Sequence, residues 1–198
     1  MSAGIAFAFD FTNAASLLAF KPTHALADEL GINVELLPFP TEVREPPPSG
    51  NDETVGARHA RVRAAYVAVD TARYARWQGI ELNRDATGVD STVACAGCLW
   101  ADRHGVARPY SERVLTEFWA GRLELDREPL AAVLADLGAP GFEGYDFGGD
   151  LATHKDRVGA RGIYNVPTYV VDGQQFTGRQ HLPMIRWLLT GSEGPGPL

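Results

Sequence analysis

Cysteine and long apolar runs are scarce in this chain, and each scarcity excludes a class of protein. Two cysteines in 198 residues are too few for a disulfide-stabilised scaffold. No apolar run approaches the length that a helix needs to cross a bilayer. Basic residues are outnumbered, with 18 Lys and Arg against 25 Asp and Glu and a net charge of −7, which argues against a nucleic-acid-binding protein. The sequence therefore indicates a globular protein that contacts neither nucleic acid nor a membrane.

The first residues also lack the features of a secretion signal. Residues 1–11 are apolar, but no basic segment precedes them and no small-residue cleavage site follows. We interpret this stretch as a first strand and expect a cytoplasmic protein.

The first quarter of the chain has the pattern of a β-α-β unit. An apolar run over 4–11 predicts a buried strand, and apolar spacing from Ser16 predicts a helix that Gly31 ends. The partial alternation of 32–39 predicts a second strand. The proline-rich stretch 38–52 is typical of a loop.

Helical patterns then dominate from Ala57 to about Ala139. The first predicted helix ends at Gly79, and the second begins at Asp90-Ser91-Thr92 and ends at Gly105. Three more are predicted over 111–120, 127–137 and 150–160. The first of them has one broad apolar face, made of Val62, Ala65, Tyr66, Val69, Ala72 and Trp77. All four tryptophans, which are Trp77, Trp100, Trp119 and Trp187, fall on helical patterns, so core packing is the default expectation for each.

Strand patterns return near the end of the chain. Val166-Pro167-Thr168 leads into a β-rich run with an Asp172-Gly173 turn, which predicts a hairpin of 168–171 and 175–177. Because proline does not fit inside a sheet, Pro167 belongs at the strand's first residue or in a turn, where a cis bond is used. A last helix is predicted over 181–190.

These elements predict an α/β chain with a thioredoxin-type fold that is split by an all-helical insertion. The expected parts are 1–56 (β-α-β), 57–148 (the helical insertion), 149–190 (β-β-α) and 191–198 (a frayed tail). A doubly wound parallel sheet would need more alternating strands.

Several short pieces, taken in order, carry a resemblance to a known family. They are Phe9-Asp10-Phe11, Ser16-Leu17-Leu18-Ala19, the set Tyr66, Asp70, Arg73, Ala75 and Gly79, Phe118-Trp119 with Gly121 and Asp126, and Val166-Pro167-Thr168 with Phe176 and Gly178. The chain resembles DsbA-like thioredoxin-fold proteins, and within them the branch of 2-hydroxychromene-2-carboxylate isomerases and kappa-class glutathione transferases.

The resemblance implies thiol chemistry with a low-mass cofactor. In this branch a serine after the first strand stabilises the thiolate of bound glutathione, and the helix N-terminus favours the same charge. The residue before the cis-proline offers its backbone to the ligand. The relatives are often dimers, so a homodimer is expected.

The chain departs from that pattern at the position of the key serine. Asn13 occupies it, and Ser16 occupies the position of the second redox cysteine, so dithiol exchange at the usual site is excluded. Asn13 can donate an amide N–H to a thiolate, although it cannot be a nucleophile, or it can simply cap the helix. Both interpretations of Asn13 stay open.

A second departure follows the hairpin. Gln180 replaces the acidic residue that holds the glutathione ammonium group, and Arg179 adds positive charge that would suit a carboxylate or phosphate. Arg63 aligns near a lysine that faces the site in relatives. Arg179 and Arg63 can equally be solvated surface residues.

The pair Cys95 and Cys98 lies within the helical insertion, and three interpretations compete. The thiols are small buried apolar groups, a displaced redox pair, or metal ligands with His104, and the last lacks the four ligands of structural zinc. The resemblance makes Phe11 and Trp119 candidates for an apolar substrate pocket, with plain core packing as the alternative. The remaining histidines, His24, His59, His154 and His181, are scattered, so we expect no catalytic triad and no metal site.

Three functions therefore stay open. The first is an isomerase or transferase that uses glutathione or another low-mass thiol on a hydrophobic aromatic or polycyclic electrophile, with Asn13 and Ser16 as catalytic residues and Val166, Pro167, Arg179, Gln180 and Arg63 at the cofactor. The second is a DsbA-like protein that has lost thiol chemistry and takes another ligand. The third is a thiol-disulfide oxidoreductase that uses Cys95 and Cys98.

Overall fold

The computed structural model describes residues 4–41, 50, 54–194 and 196–197. The strands and helices, in chain order, are β1 (Gly4–Phe9), α1 (Ala14–Leu30), β2 (Asn33–Pro38), α2 (Val55–Gln78), α3 (Thr92–Arg103), α4 (Ala107–Trp119), α5 (Arg127–Asp136), α6 (Gly148–Ala160), β3 (Thr168–Val171), β4 (Gln174–Thr177) and α7 (Leu182–Leu189). Short 3-10 turns precede α6 at Phe142–Gly144 and α7 at Arg179–His181. The predicted order β-α-β, helices, β-β-α is confirmed.

The four strands form one mixed sheet in the order β2-β1-β3-β4. β1 and β2 are parallel, and the register places Gly4 beside Asn33. β3 is antiparallel to β1 and to β4, and the Val166–Pro167 bond just before β3 is cis, as expected. α2 to α5 lie between β2 and α6 in the chain, although the boundaries predicted for a separate insertion remain a prediction.

Alternation along β1 divides the core between the two faces of the sheet. Ile5, Phe7 and Phe9 join the larger cluster, in which Phe7 stacks on Tyr169 with ring centroids 5.1 Å apart. Ala8, from the other face, packs with Val158 of α6 in a second cluster. A strand that is buried on both faces reads as a continuous apolar run, which is why its position was predictable.

α1 starts earlier than its apolar spacing suggests, because its cap lies at Asn13. The Asn13 side chain accepts a hydrogen bond from Ser16 N–H, and the helix begins at Ala14, two residues before the predicted start. Gly31 ends the helix with a φ of 64°, which a residue with a Cβ adopts only at a cost.

α4 also differs from its prediction at the N-terminal end. It begins at Ala107 and not at Ser111, and Pro109 lies in its first turn. Proline is tolerated there because the N–H groups of the first turn have no partner within the helix.

α2 departs most from expectation, since its apolar face does not enter the core. Ala75 is its one buried residue among those described, and Trp77 is 70% exposed. The default expectation of core packing is therefore wrong for Trp77, whereas Trp119 is buried. Within the described residues, no helix is both long enough and apolar enough to span a bilayer.

Candidate functional site

One edge of the sheet collects the chain segments that the sequence singled out. β1, β2 and β4 point the same way and β3 points the opposite way, so the residues after β1, after β2, before β3 and after β4 all lie at this edge. The hydrogen bond from Gly178 N–H to the Pro167 carbonyl, 2.8 Å long, closes the gap between the last two segments. Asn13, Val166, Pro167, Arg179 and Gln180 therefore share one edge, which we call the candidate site.

Asn13 stands at the N-terminus of α1 with its amide held in one orientation. Its Oδ1 accepts the Ser16 N–H at 2.9 Å, so the cap uses the acceptor end of the side chain. The Nδ2 group is the donor end and takes no part in that bond. The two interpretations of Asn13 are thus compatible, because one end of the amide caps the helix and the other remains for a ligand.

Ser16 has a structural position beneath this edge. It is fully buried, and its Oγ accepts the Asp10 N–H at 3.2 Å. Direct contact between this hydroxyl and a ligand would require that bond to break. Ser16 therefore supports the loop that carries Asn13, and nothing in its surroundings favours the predicted catalytic role.

Asp10 organises the edge, although no role was predicted for it from the sequence. Its buried carboxylate accepts hydrogen bonds from the hydroxyl of Thr12 at 3.0 Å and from the N–H of Thr41 at 2.8 Å. The Thr41 hydroxyl donates to the same carboxylate. These bonds join the segment after β1 to the segment after β2. An acidic residue directly after a buried strand was the available signal, and its partner Thr41 could not be found without the sheet topology.

The residue before the cis-proline already uses its backbone N–H in a hydrogen bond within the fold. Val166 N–H donates to Asn165 Oδ1 at 2.9 Å, and its side chain packs in the cluster beside α6. A ligand that uses this N–H would have to displace the Asn165 amide.

Arg179 has an ion-pair partner and an aromatic neighbour within the fold. Its Nη2 lies 3.2 Å from Asp70 Oδ2, and its guanidinium carbon stacks 3.2 Å from the centroid of the Tyr74 ring. Asp70 also pairs with Arg73 at 3.0 Å. The predicted gain in positive charge at Arg179 is therefore reduced by Asp70, a residue that only the tertiary structure brings to this edge.

Gln180 and Arg63 contribute less to the site than was expected. Gln180 is exposed, and its Nε2 donates to the Thr177 carbonyl at 3.0 Å, so it bonds within its own turn. Arg63 is exposed on α2, two helical turns before Asp70, and its role at the site stays a prediction.

Phe11 and Trp119 form part of the core below the site. The Trp119 indole N–H donates to the Phe11 carbonyl at 2.9 Å, and Phe11 has no exposed surface. These two residues support the loop after β1, and both are buried, so their place in a substrate pocket stays a prediction.

The cysteines lie in the core of the helical region. Both are free and buried, and burial raises the pKa of Cys95 well above its usual value and that of Cys98 to about 12. The glycine between them is required by packing, because a Cβ on Gly97 would come 2.1 Å from the Tyr110 hydroxyl. This environment suits small apolar groups, and it argues against the redox interpretation. No cluster of three metal-ligating side chains occurs among the described residues.

Comparison with known proteins agrees with this architecture. The sequence profile of the DSBA-like thioredoxin domain matches residues 5–190. No curated protein matches the chain significantly.

Solved structures with the same fold cover nearly the whole chain at low identity. 2-Hydroxychromene-2-carboxylate isomerase superposes with a TM-score of 0.70 at 21% identity, covering 94% of both chains. The cytosolic disulfide reductase DsbM from Pseudomonas aeruginosa gives 0.64 at 20% identity, covering 96% of this chain and 98% of its own, and it has also been solved with GSH. The oxidoreductase DsbA from Xylella fastidiosa gives 0.55 at 12% identity, with 96% and 82% covered.

Proposed function

The chain belongs to the family of DsbA-like thioredoxin domains, and from that premise we propose that it is an isomerase or transferase that uses a low-mass thiol as its cofactor. The substrate class is a hydrophobic aromatic or polycyclic electrophile. The cofactor is glutathione or a similar thiol, and when bound it supplies the nucleophilic sulfur that this edge of the sheet lacks.

The orientation of Asn13 is the observation that carries the proposal. Since the cap consumes Oδ1, Nδ2 is the group available to hydrogen-bond a sulfur or oxygen anion. The N-terminal end of α1 favours negative charge at the same place, because the first helical N–H groups and the helix dipole both point there. An amide donor at a helix N-terminus fits the stabilisation of a thiolate, whereas it fits neither dithiol exchange nor nucleophilic attack by the protein.

A cleft next to α1 has a partly apolar lining. It has a volume of about 190 Å³, and its walls combine the apolar side chains of Leu17, Phe20, Ile80 and Leu115 with the polar side chains of Lys21, Gln78, Glu112 and Thr116. Leu17 lies one helical turn after Asn13. We assign the apolar part of the substrate to this cleft.

Two similarities support the finer parts of the proposal. One structural neighbour is an isomerase, and another has been solved with GSH and is described as cytosolic. We also propose that the chain is cytoplasmic, that it forms a homodimer and that its substrate is a small molecule.

A protein of the same fold that has lost thiol chemistry is the second candidate. Val166 N–H is occupied by Asn165, and Arg179 is paired with Asp70, so two groups expected to hold glutathione already have partners. These contacts favour a different ligand at the same edge.

Calorimetric titration with reduced glutathione tests the first candidate, with S-methylglutathione as the matched ligand that lacks a thiol. We expect reduced glutathione to bind more tightly than its methylated form, because only a thiol can ionise at Asn13. Ultraviolet absorbance of the complex between pH 5 and 9 should show thiolate at a lower pH than for free glutathione.

Two substitutions of Asn13 separate its role as the helix cap from its role as a hydrogen-bond donor. Asn13→Asp keeps a capping oxygen but replaces the amide donor with a negative charge, so binding of the thiol should weaken about tenfold or more while the fold keeps its stability. Asn13→Ser keeps both a cap and a donor and should retain binding. Equal affinity for both ligands, or no binding of glutathione and of a second low-mass thiol, would favour the second candidate.

A further inference from the structure

A cleft between α3 and α6 takes no part in the proposed function. It has a volume of about 260 Å³, which is below the roughly 300–1,000 Å³ of sites for drug-sized ligands. α3 forms one wall and α6 the other. The charged residues of the lining are Asp102 and Arg103 on α3 and Asp150 and Arg157 on α6. Whether each of these charges already has a partner decides what the cleft can bind.

Two of the four charges pair with each other. Arg103 Nη2 lies 2.6 Å from Asp150 Oδ2, and this ion pair joins α3 to α6. The hydroxyl of Tyr145 donates a hydrogen bond to the same carboxylate. Thr153, a further lining residue, donates its hydroxyl hydrogen to a carbonyl of its own helix at 2.9 Å. These groups therefore have partners within the fold.

The other two charges, on Asp102 and Arg157, have no ion-pair partner. Within the described residues, neither side chain forms an ion pair, and they do not pair with each other. One belongs to α3 and the other to α6, and both line the same cleft. The cleft thus offers one unpaired negative charge and one unpaired positive charge from its two walls.

The buried side chain of His154 orients Arg157 beside the cleft. His154 Nε2 lies 2.9 Å from the Pro38 carbonyl oxygen, and its Nδ1 lies 3.3 Å from Arg157 Nη2. A carbonyl can only accept and a guanidinium can only donate, so Nε2 carries the proton and Nδ1 accepts. Burial lowers the pKa of His154, which keeps the imidazole in this neutral form. One hydrogen bond therefore holds the guanidinium, and its other N–H groups remain for an anion.

The separation of the two unpaired charges sets the length of a ligand that meets both. Arg103, the neighbour of Asp102, contacts Asp150, and Arg157 lies seven residues further along α6. At about 1.5 Å per residue, Asp150 and Arg157 are about 10 Å apart along the helix axis. An extended di- or tripeptide spans about 7–10 Å between its ammonium and its carboxylate, whereas a free amino acid spans about 3 Å.

We propose that the cleft between α3 and α6 binds a zwitterionic di- or tripeptide. The terminal ammonium of the peptide pairs with Asp102, and its terminal carboxylate takes a bidentate hydrogen bond from Arg157. Leu99, the apolar residue of the lining, packs against the side chains of the peptide. A simple anion such as phosphate is a poorer ligand, because Asp102 would repel it.

Titration of the full chain with L-alanyl-L-alanine and tri-L-alanine, monitored by two-dimensional amide NMR spectra, tests the proposal. Blocked forms of the dipeptide are the matched probes, since the N-acetyl form lacks the ammonium and the amide form lacks the carboxylate. Each block should weaken binding about fivefold or more, the upper range for one exposed ion pair. Free alanine should bind more weakly than either peptide. Equal affinity for blocked and unblocked peptides, or no shift of cleft residues at millimolar peptide, would overturn the proposal.

Two substitutions assign each end of the peptide to its residue. Arg157→Gln should abolish the preference for a free carboxylate, and Asp102→Asn should abolish the preference for a free ammonium. Lys155→Gln and Asp156→Asn are the matched controls, because both residues are exposed on α6 and neither lines the cleft. Cleft variants that keep both preferences, as the controls should, would contradict the assignment. A misfolded variant is recognised separately by its altered amide spectrum.

The peptide site and the proposed thiol site can be tested independently. The alanine peptides contain no thiol, so their binding does not depend on the proposed function. Glutathione is itself a tripeptide with both charges, so its titration is repeated with the Arg157→Gln variant. This variant should leave thiolate formation at Asn13 unchanged, because Arg157 is not part of that site.

Discussion

Two buried histidines show how the environment of one residue sets its charge. His24 is 5% exposed, and its Nε2 has no hydrogen-bond partner among the described residues. Burial first, and then the charge of Arg108, lower its pKa to about 4. His154 is also buried, and burial is the main cause of its lowered pKa. Both side chains are therefore neutral in the folded protein near neutral pH.

Because the pKa values of both histidines are lowered, we expect the protein to lose stability in mild acid. Between pH 6.5 and 4 the unfolded chain binds a proton at His24 that the folded chain does not bind, so the free energy of unfolding falls as the pH drops. The slope from one such group is at most about 1.4 kcal/mol per pH unit. Urea unfolding at pH 7, 6 and 5 measures it.

Replacement of His24 isolates its share of that slope. His24→Leu fills the same site with an apolar group and should flatten the fall in stability between pH 7 and 5, while the contribution of His154 remains. His59→Leu, at an exposed position of α2, is the control. An unchanged slope in the His24 variant would show that its pKa is not lowered by burial.

Because both cysteines are buried, we expect their thiols to react slowly with reagents in the folded protein. Because burial raises the pKa of both thiols and removes them from solvent, an aromatic disulfide reagent should react with neither in native buffer and with both in denaturant. Rapid labelling of the native protein at either residue would restore the redox interpretation. Under our proposal, activity should survive replacement of both cysteines by alanine.

Among the helices, α1 and α2 depend on each other through one backbone carbonyl. Pro22 lies inside α1 and has no N–H to donate to the Leu18 carbonyl. The side chain of Gln78, the last residue of α2, donates to that carbonyl at 3.1 Å instead. A proline in one helix is therefore compensated by a side chain from another.

A double-mutant cycle tests this compensation. Gln78→Met leaves the Leu18 carbonyl unpaired and should cost about 1–3 kcal/mol of stability. In a Pro22→Ala background the helix supplies its own N–H, so the same change should cost much less. Denaturant unfolding of the four proteins gives the coupling energy, and purely additive effects would mean that Gln78 does not replace the missing donor.

Over the whole molecule, ion pairs join the C-terminal segment to the first half of the chain. Arg186 pairs with Glu29, Arg161 with Glu35, and Arg179 with Asp70. The last pair is the least exposed of the three, and Arg179 also stacks on Tyr74. It joins α2 to the turn after β4.

The Asp70–Arg179 pair should therefore be stronger than an exposed pair. We expect a coupling energy of about 1–2 kcal/mol between Asp70→Asn and Arg179→Gln, against 0–1 kcal/mol for exposed pairs. Asp136 and Arg113 provide the matched pair, because they also make a single contact and their side chains are 63% and 42% exposed. Equal coupling in the two cycles would show that partial burial and stacking add nothing.

Local patterns predicted most of the fold because they reflect local physics. The buried run of β1, the glycines that end α1 and α2, and the proline before β3 each constrain the backbone at their own position. The start of α4 was misplaced because a first-turn proline is compatible with a helix, and α2 was misjudged because an apolar face looks the same in sequence whether or not something covers it.

The sequence by itself determined the order of the elements, the cis-proline turn, the family resemblance and the absence of a thiol after β1. Only the tertiary structure decided which residues meet at the sheet edge. Asp10 with Thr41 and Arg179 with Asp70 are separated by 31 and 109 residues, and no periodicity relates positions so far apart. The same holds for burial, since Cys95 and Trp77 are both apolar residues on helices, and packing alone places the first in the core and the second on the surface.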